Sequence, residues 1–284
     1  RKENPMSLRN LPEIRADAGL AGMQFDVRED AIDAWQPELQ AAAPDPATSI
    51  SIYGRIGQGI DGQGITSRSI AAALRSIGPR AVTVNINSPG GDYFEGLGIY
   101  NLLRQHAGEV TVHVLSMAAS AASVIAMAGD RILMADHSRI MIHNAWGVAV
   151  GNRHDMAKAV AMLEPLDQDM ASVYASRSGM DAGKVAALMD AETFMSVDDA
   201  INRGFADARL APAKVSRDKA RAPAKALAMV EASLTKAGYS RADRRDLLKD
   251  LFSGKPRAAE PATPCAGDTQ TAALLQGLLN TLKA

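Results

Sequence analysis

Residues 110–130 read VTVHVLSMAASAASVIAMAGD. The first six, VTVHVL, are rich in β-branched residues and predict a strand. The run then breaks into small residues around Ser120 and continues as a helical stretch. A serine at a strand-to-helix turn is a candidate nucleophile. Ala118, Ala119, Ala121 and Ala122 leave room for a substrate, and a helix beginning there aims unbonded backbone N–H groups at whatever joins the serine oxygen. The competing reading of the segment is tight helix packing by Ala and Ser. Ser123 is the competing hydroxyl, one turn further on, and its plainer role is to bond a helix carbonyl.

Working outward, residues 81–92 read AVTVNINSPGGD, an alternating strand that ends in Pro89, Gly90 and Gly91. Glycine there lets backbone approach a ligand closely, and such a turn can present N–H groups as half of an oxyanion hole. Downstream, residues 139–146 read RIMIHNAW, a short apolar strand with His143 at its end. An imidazole at the tip of a rigid strand is well placed to act as a general base.

The order NSPGG, AAS, MIH and then an acidic residue ahead of FMS resembles the Clp protease proteolytic subunit (ClpP) family of serine peptidases. Within it, the chain is most similar to the ClpP-like head maturation proteases of tailed phages and prophages. The resemblance covers residues 49–210. It implies Ser120 as nucleophile, His143 as general base, and the backbone N–H groups of Gly91 and Ala121 as the oxyanion hole. In MDAETFMS, residues 189–196, the family acid falls on Glu192. ClpP itself carries aspartate there, and Asp190 is the alternative orienting carboxylate. The acid has only to hold the imidazole tautomer and stabilise the imidazolium, which glutamate does in some hydrolase triads. Ser116 stands where these sequences usually have the glycine preceding Ala-Ala-Ser, as a tolerated small residue. The chain order Ser, His, acid matches neither the trypsin-like, the subtilisin-like nor the α/β-hydrolase order, and no G-x-S-x-G elbow is present.

The remaining histidines carry plainer readings. His113 lies inside a strand and His106 near a helix end; His137 and His154 flank loops, outside any matching motif. No His, Cys or acidic spacing such as H-E-x-x-H suggests a metal. The 284 residues, 47% apolar and 22% charged, suffice for one sizeable globular domain with extensions. A net charge of -1 gives no nucleic-acid signature. The single cysteine, Cys265, excludes an intramolecular disulfide and fits a reducing cytoplasm. No apolar run nears a membrane span and no signal region is evident, so a soluble, non-secreted protein without a membrane role is expected.

Strands alternating with helices between residues 49 and 210 predict an α/β fold, and the resemblance makes it the ββα spiral shared by ClpP and crotonases. Residues 1–48 read as an N-terminal arm and linker. Residues 211–284 read as a helical, low-complexity extension: AKALAMVEASLTKAG, SRADRRDLLKDLF and DTQTAALLQGLLNTLKA are amphipathic, with the Pro-rich PRAAEPATP between the last two. This tail is either a binding or cleavable segment or a partly disordered extension. Residues 154–178 form a helical pattern interrupted by Pro165, with Met156, Val160, Leu163, Leu166, Met170 and Val173 on one stripe. The stripe alone predicts a core-facing helix; the resemblance implies the protruding handle through which ClpP-like subunits pair into homo-oligomeric rings. Ser196 with Asp199 predicts a capping box just after Glu192.

The chemistry implied is peptide-bond hydrolysis through an acyl-enzyme, with no cofactor. The resemblance points to a head maturation protease acting on scaffold, capsid or portal proteins in the host cytoplasm, inside an assembling prohead. In ClpP an ATPase unfoldase docks on aromatic surface residues along the strand leading to NSPGG. The corresponding outward positions here are Thr83 and Asn85, both polar, which favours a self-contained protease. Two alternatives stand beside this one: a cellular ClpP-type subunit working with an ATPase, and a non-proteolytic crotonase-like or structural protein.

Overall fold

Side-chain alternation along the strands sorts the molecule into layers. The computed structural model describes residues 27–42, 44–59, 64–149 and 151–252. In chain order the first elements are α1 (Glu29–Ala34), β1 (Leu39–Ala41), β2 (Ser49–Tyr53), β3 (Gly57–Gln58), β4 (Gly64–Ile65), α2 (Ser67–Ile77), β5 (Val82–Ser88), α3 (Tyr93–Arg104), β6 (Val110–Ala119) and α4 (Ala121–Ala126). Then come β7 (Arg131–Met134), β8 (Arg139–Ile142), α5 (Arg153–Ser178), α6 (Ala182–Asp190), β9 (Thr193–Met195), α7 (Val197–Asn202), β10 (Ala208–Arg209), β11 (Val215–Arg217), α8 (Pro223–Lys236) and α9 (Arg241–Phe252). The chain forms two compact units, Arg1–Arg245 and Asp246–Ala284, and every element through α8 belongs to the first.

The main sheet runs β10-β7-β6-β5-β2, all parallel. The ten-residue β6 outlasts its neighbour: it pairs with β7 over Thr111–Val114 and then with β8 over Met117–Ala119. Strand β9 closes this branch by running antiparallel to β8. The chain thus spirals as it adds strands, the mixed α/β architecture of the ClpP fold that the sequence led us to expect. On β6, Val110, Val112, Val114 and Ala118 face the main core with Val82, Val84 and Ile86 of β5, under helices α2 to α6. Each such aliphatic side chain, fully buried, contributes about 1.5–3 kcal/mol.

The opposite face is covered by the chain's own flanks. Antiparallel pairing joins β1 to β11, setting Gln40 against Ser216, and this ribbon covers Leu115, Tyr53 and Leu133. Beside it, Val27, Ala31, Ile32 and Trp35 of the N-terminal arm pack with Ala228 and Ala232 of α8 on Met117, Ala119 and Met141. A largely buried ion pair, Arg55 to Glu231 at 2.8 Å, ties α8 to the loop after β2. Trp35 Nε1 donates to Asn87 Oδ1 at 2.9 Å, and Asn87 Nδ2 donates to the carbonyls of Gln36 and Leu39. Asn85, expected as an outward polar position, is instead buried against His113, and Thr83 is half-buried. Sequence alternation placed both on the correct face, but the arm that covers that face could not be seen in it.

Helix α5 runs unbroken through Pro165, which is exposed, although an interruption was expected there. At about 1.5 Å per residue its 26 residues span about 39 Å. Along the predicted stripe Met170 and Val173 are buried, Leu163 and Leu166 half-buried, and Met156 and Val160 exposed. One end of the helix is therefore core and the other projects. The Ser196–Asp199 capping box forms as expected at the start of α7. Of the expected tail helices two are α8 and α9, while the last, with PRAAEPATP, lies outside the described residues, as do residues 1–26. No helix among the described residues is long and apolar enough to cross a membrane.

Candidate active site

Three adjacent strand ends bring the sequence-selected side chains together. Ser120 follows β6 directly, and its N–H donates to the Met141 carbonyl of β8 at 3.0 Å. His143 follows β8 and Glu192 precedes β9, each one residue beyond the last pair of the antiparallel register, Ile142↔Thr193. Glu192 itself sits in the turn after α6, at φ 49°, its N–H donating to the Met189 carbonyl. Ser120, His143 and Glu192 thus line up across β6, β8 and the lead-in to β9, at one end of the sheet.

Ser120 has φ 56° and ψ -127°, a conformation that favours glycine. The turn lifts its side chain, which is half-buried, out of the strand while its carbonyl receives the N–H groups of Ser123 and Val124. The loop Ser88-Pro89-Gly90-Gly91 lies against it: a Cβ on Gly90 would come 2.7 Å from Ser120 Cβ and 2.8 Å from the Ala119 carbonyl. Gly91 bridges to Ile56, yet the bonds of that bridge use the Gly90 carbonyl and the Asp92 N–H. The Gly91 N–H is therefore turned the other way. Ala121 is the first residue of α4, so its N–H has no intrahelical acceptor. Among the described residues neither N–H has a protein partner.

Ser123 is accounted for otherwise. It is fully buried, and its Oγ lies 2.6 Å from the Ser120 carbonyl and 2.7 Å from the Tyr174 hydroxyl. Its plainer reading is the structural one. The other histidines lie elsewhere: His106 on the Arg80 carbonyl, His113 on Asn85, His137 in the turn after β7 and His154 in the first turn of α5.

His143 is 5% exposed. Burial, with the nearby Arg28 guanidinium, pushes its pKa down to about 4, while the Asn144 backbone and Asp30 work the other way. Glu192 is engaged by the arm rather than by the imidazole: Arg28 Nη1 and Nη2 donate to its two carboxylate oxygens at 2.7 and 2.5 Å. The same guanidinium holds both oxygens of Asp30 at 3.1 Å. Burial opposes the Arg28 charge, but Asp30 and Glu192 outweigh it and raise its pKa. The alternative acid, Asp190, accepts from Asn144 Nδ2 at 2.7 Å. One residue on, the Ala145 N–H donates to Asp167 of α5 at 2.6 Å, so the loop after His143 is held from two sides. No hydrogen bond among the described residues links Ser120 to His143, or His143 to Glu192. Hydrogen bonds of this kind are often long without substrate and tighten when it binds.

The arm residues Arg28 and Asp30 escaped the sequence reading. They lie 164 and 162 positions from Glu192, and the stretch VREDAIDAW has no spacing that marks a site. With Val27, Glu29, Trp146, Ala232 and Lys236 they line a cavity of about 290 Å³. Two of these lining residues, Lys236 and Glu29, form an ion pair at 3.2 Å.

Comparison with known proteins converges on the same segment. A family model described as Clp protease matches residues 56–211. The ATP-dependent Clp protease proteolytic subunit of Bacteroides fragilis is 34% identical over 137 residues, 47% of this chain and 66% of that protein. Its counterpart in Bacteroides thetaiotaomicron is 33% identical, over 47% of this chain and 62% of that protein. Subunit 1 from Chlamydia felis is 31% identical over 140 residues, 49% of this chain and 69% of its own length. The chain thus spans somewhat less than two thirds of the Bacteroides relatives.

Proposed function

This chain belongs to the Clp protease family, and from that premise we propose that it is a serine endopeptidase acting through an acyl-enzyme. Ser120 attacks the scissile carbonyl, and His143 takes its proton and later returns it to the leaving amine. The N–H groups of Gly91 and Ala121 stabilise the oxyanion. Glu192 is the acid that orients the imidazole. The observation that carries this reading is the co-location of Ser120, in its strained turn, with His143 and Glu192 at one edge of three paired strands. Loss of one oxyanion-hole donor costs serine hydrolases about 10²–10³-fold.

For biological setting, we favour a head maturation protease that cuts scaffold, capsid or portal proteins within an assembling prohead, as a homo-oligomer paired through α5. Support comes from the covered sheet face: Asn87 of β5 is bonded by the chain's own arm, and Asn85 is buried against His113. That leaves no aromatic docking strip on this strand for an unfoldase. A second reading, a cellular subunit working with an ATPase, is favoured by the relatives, which are named ATP-dependent Clp protease proteolytic subunits.

The test is labelling by a fluorescent serine-directed phosphonate, comparing wild type with Ser120→Ala and His143→Ala, while intact mass follows the C-terminal segment. Label on wild type alone supports an activated Ser120. Serine-dependent trimming of the tail or of a co-expressed capsid protein supports the maturation role, and ATP-dependent degradation with a co-purifying unfoldase supports the cellular one. A correctly assembled oligomer that takes no label sinks the peptidase reading.

A further inference from the structure

We propose that Arg28 is an in-chain positioning residue that withholds Glu192 from His143, keeping the site idle until the guanidinium releases the carboxylate. The inference rests on the assignment of Glu192 as the acid under the proposed function. His143 and Glu192 each adjoin the last register pair of β8 and β9, Ile142↔Thr193, but both carboxylate oxygens are taken by the Arg28 fork. Paired forks of this kind are among the stronger ionic contacts and fix direction as well as distance.

This is more than a passing surface pair, because the guanidinium is held from behind. Asp30 accepts from Nε and Nη2 of Arg28 and, through Oδ1, from the Ala31 N–H, so Asp30 and Arg28 form one rigid unit. That unit is anchored by Val27, Ala31, Ile32 and Trp35, which are buried between the sheet and α8. The arm lies outside the family match, which covers residues 56–211.

The electrostatic consequence is direct. General-base catalysis requires His143 to become an imidazolium in the transition state. The charged groups facing it are Arg28 and Asp30, both from the arm, with Arg28 acting against the positive imidazole and Asp30 for it. A carboxylate freed from Arg28 and turned to the imidazole would favour the charged form on both counts: an anion arrives and a cation no longer dominates.

The experiment uses the full chain, with carbon-13-labelled histidine followed by NMR and the phosphonate labelling rate measured in parallel. The variants are Arg28→Ala, Glu192→Gln and the double variant. The His143 resonance is assigned with His143→Asn, and thermal unfolding is recorded for each. The expected result is a His143 pKa about one unit or more higher in Arg28→Ala, a rise that shrinks in the double variant. Labelling should be about tenfold faster in Arg28→Ala, and the gain should vanish without Glu192. Where Arg28→Ala unfolds, Arg28→Lys serves in its place, since a lysine cannot make the paired fork, and it should move both readouts the same way by less. Slower labelling in a folded Arg28 variant, or a gain that persists without Glu192, overturns the proposal. A His143 shift with no labelling in any protein leaves the Arg28 contact standing and removes the peptidase reading. Ser120-dependent labelling without the shift does the reverse.

Discussion

At Ser120 the backbone takes a φ of 56°, where a β-carbon ordinarily costs about 1–3 kcal/mol. The chain retains that strain at the serine proposed as nucleophile, with Gly90 packed close enough to exclude any side chain. Gly90→Ala would force a methyl to within 2.7 Å of Ser120 Cβ, at a φ of 98°. It is expected to slow phosphonate labelling by about 100-fold, the cost of misplacing a reacting group by about 1 Å. His143 supplies the second prediction. An unfolded histidine takes its proton near about 6.5, the folded one only at about 4. Between these values the unfolded state binds more protons, so stability is full above about pH 6.5 and drains away as pH falls toward 4. The loss amounts to about 3 kcal/mol. Urea unfolding at about pH 7.5 and about pH 4.5 should show it, and His143→Asn should flatten it. Both residues were legible beforehand, since each sits in a short local motif at a strand end. Arg28 was not, because its partner is distant in sequence and ordinary in kind.

At the scale of elements, strands were easy to read and coverings were not. The alternation in VTVNINS and VTVHVL carries a period of two that survives any tertiary context, so both strands fell where expected. Helix α1 has six residues, too few for a helical period to show, and β1 and β11 have three each. Their stability is tertiary: the β1–β11 ribbon draws on contact with Leu115, Tyr53 and Leu133, and α1 on apolar contact with Met117, Ala119 and Met141. Ile32 is fully buried in that contact. Ile32→Ala should cost about 2–5 kcal/mol, and it should loosen Arg28 along with the helix that carries it. Denaturant unfolding gives the first quantity, and faster proteolytic cutting between residues 27 and 42 checks the second. Pro165 shows the opposite failure: a residue that usually stops a helix does not do so in α5, where the flanking turns extend unbroken on both sides.

For the whole molecule the informative gradient is along α5, buried at Met170 and exposed at Val160, which is 66% accessible. The subunit pairing proposed for α5 would cover the outer half of that stripe. Val160→Glu should leave the thermal midpoint of the folded chain nearly unchanged, since surface substitutions usually stay within about 0.5 kcal/mol. It should lower the mass found by light scattering, because a buried unpaired carboxylate opposes pairing. Unchanged mass would remove α5 from the subunit contact. The architecture between residues 49 and 210 could be read from sequence because its motifs are spaced along a single spiral. The layer formed by residues 27–42 and 215–236 could not, because it exists only where two remote segments meet. That meeting has a consequence in time. Trp35 leaves the ribosome long before α8, and at about 5–20 residues per second the wait is about 10–40 s. For that interval a newborn chain has its strands but not their cover, so the arm that carries Arg28 is among the last parts to be secured.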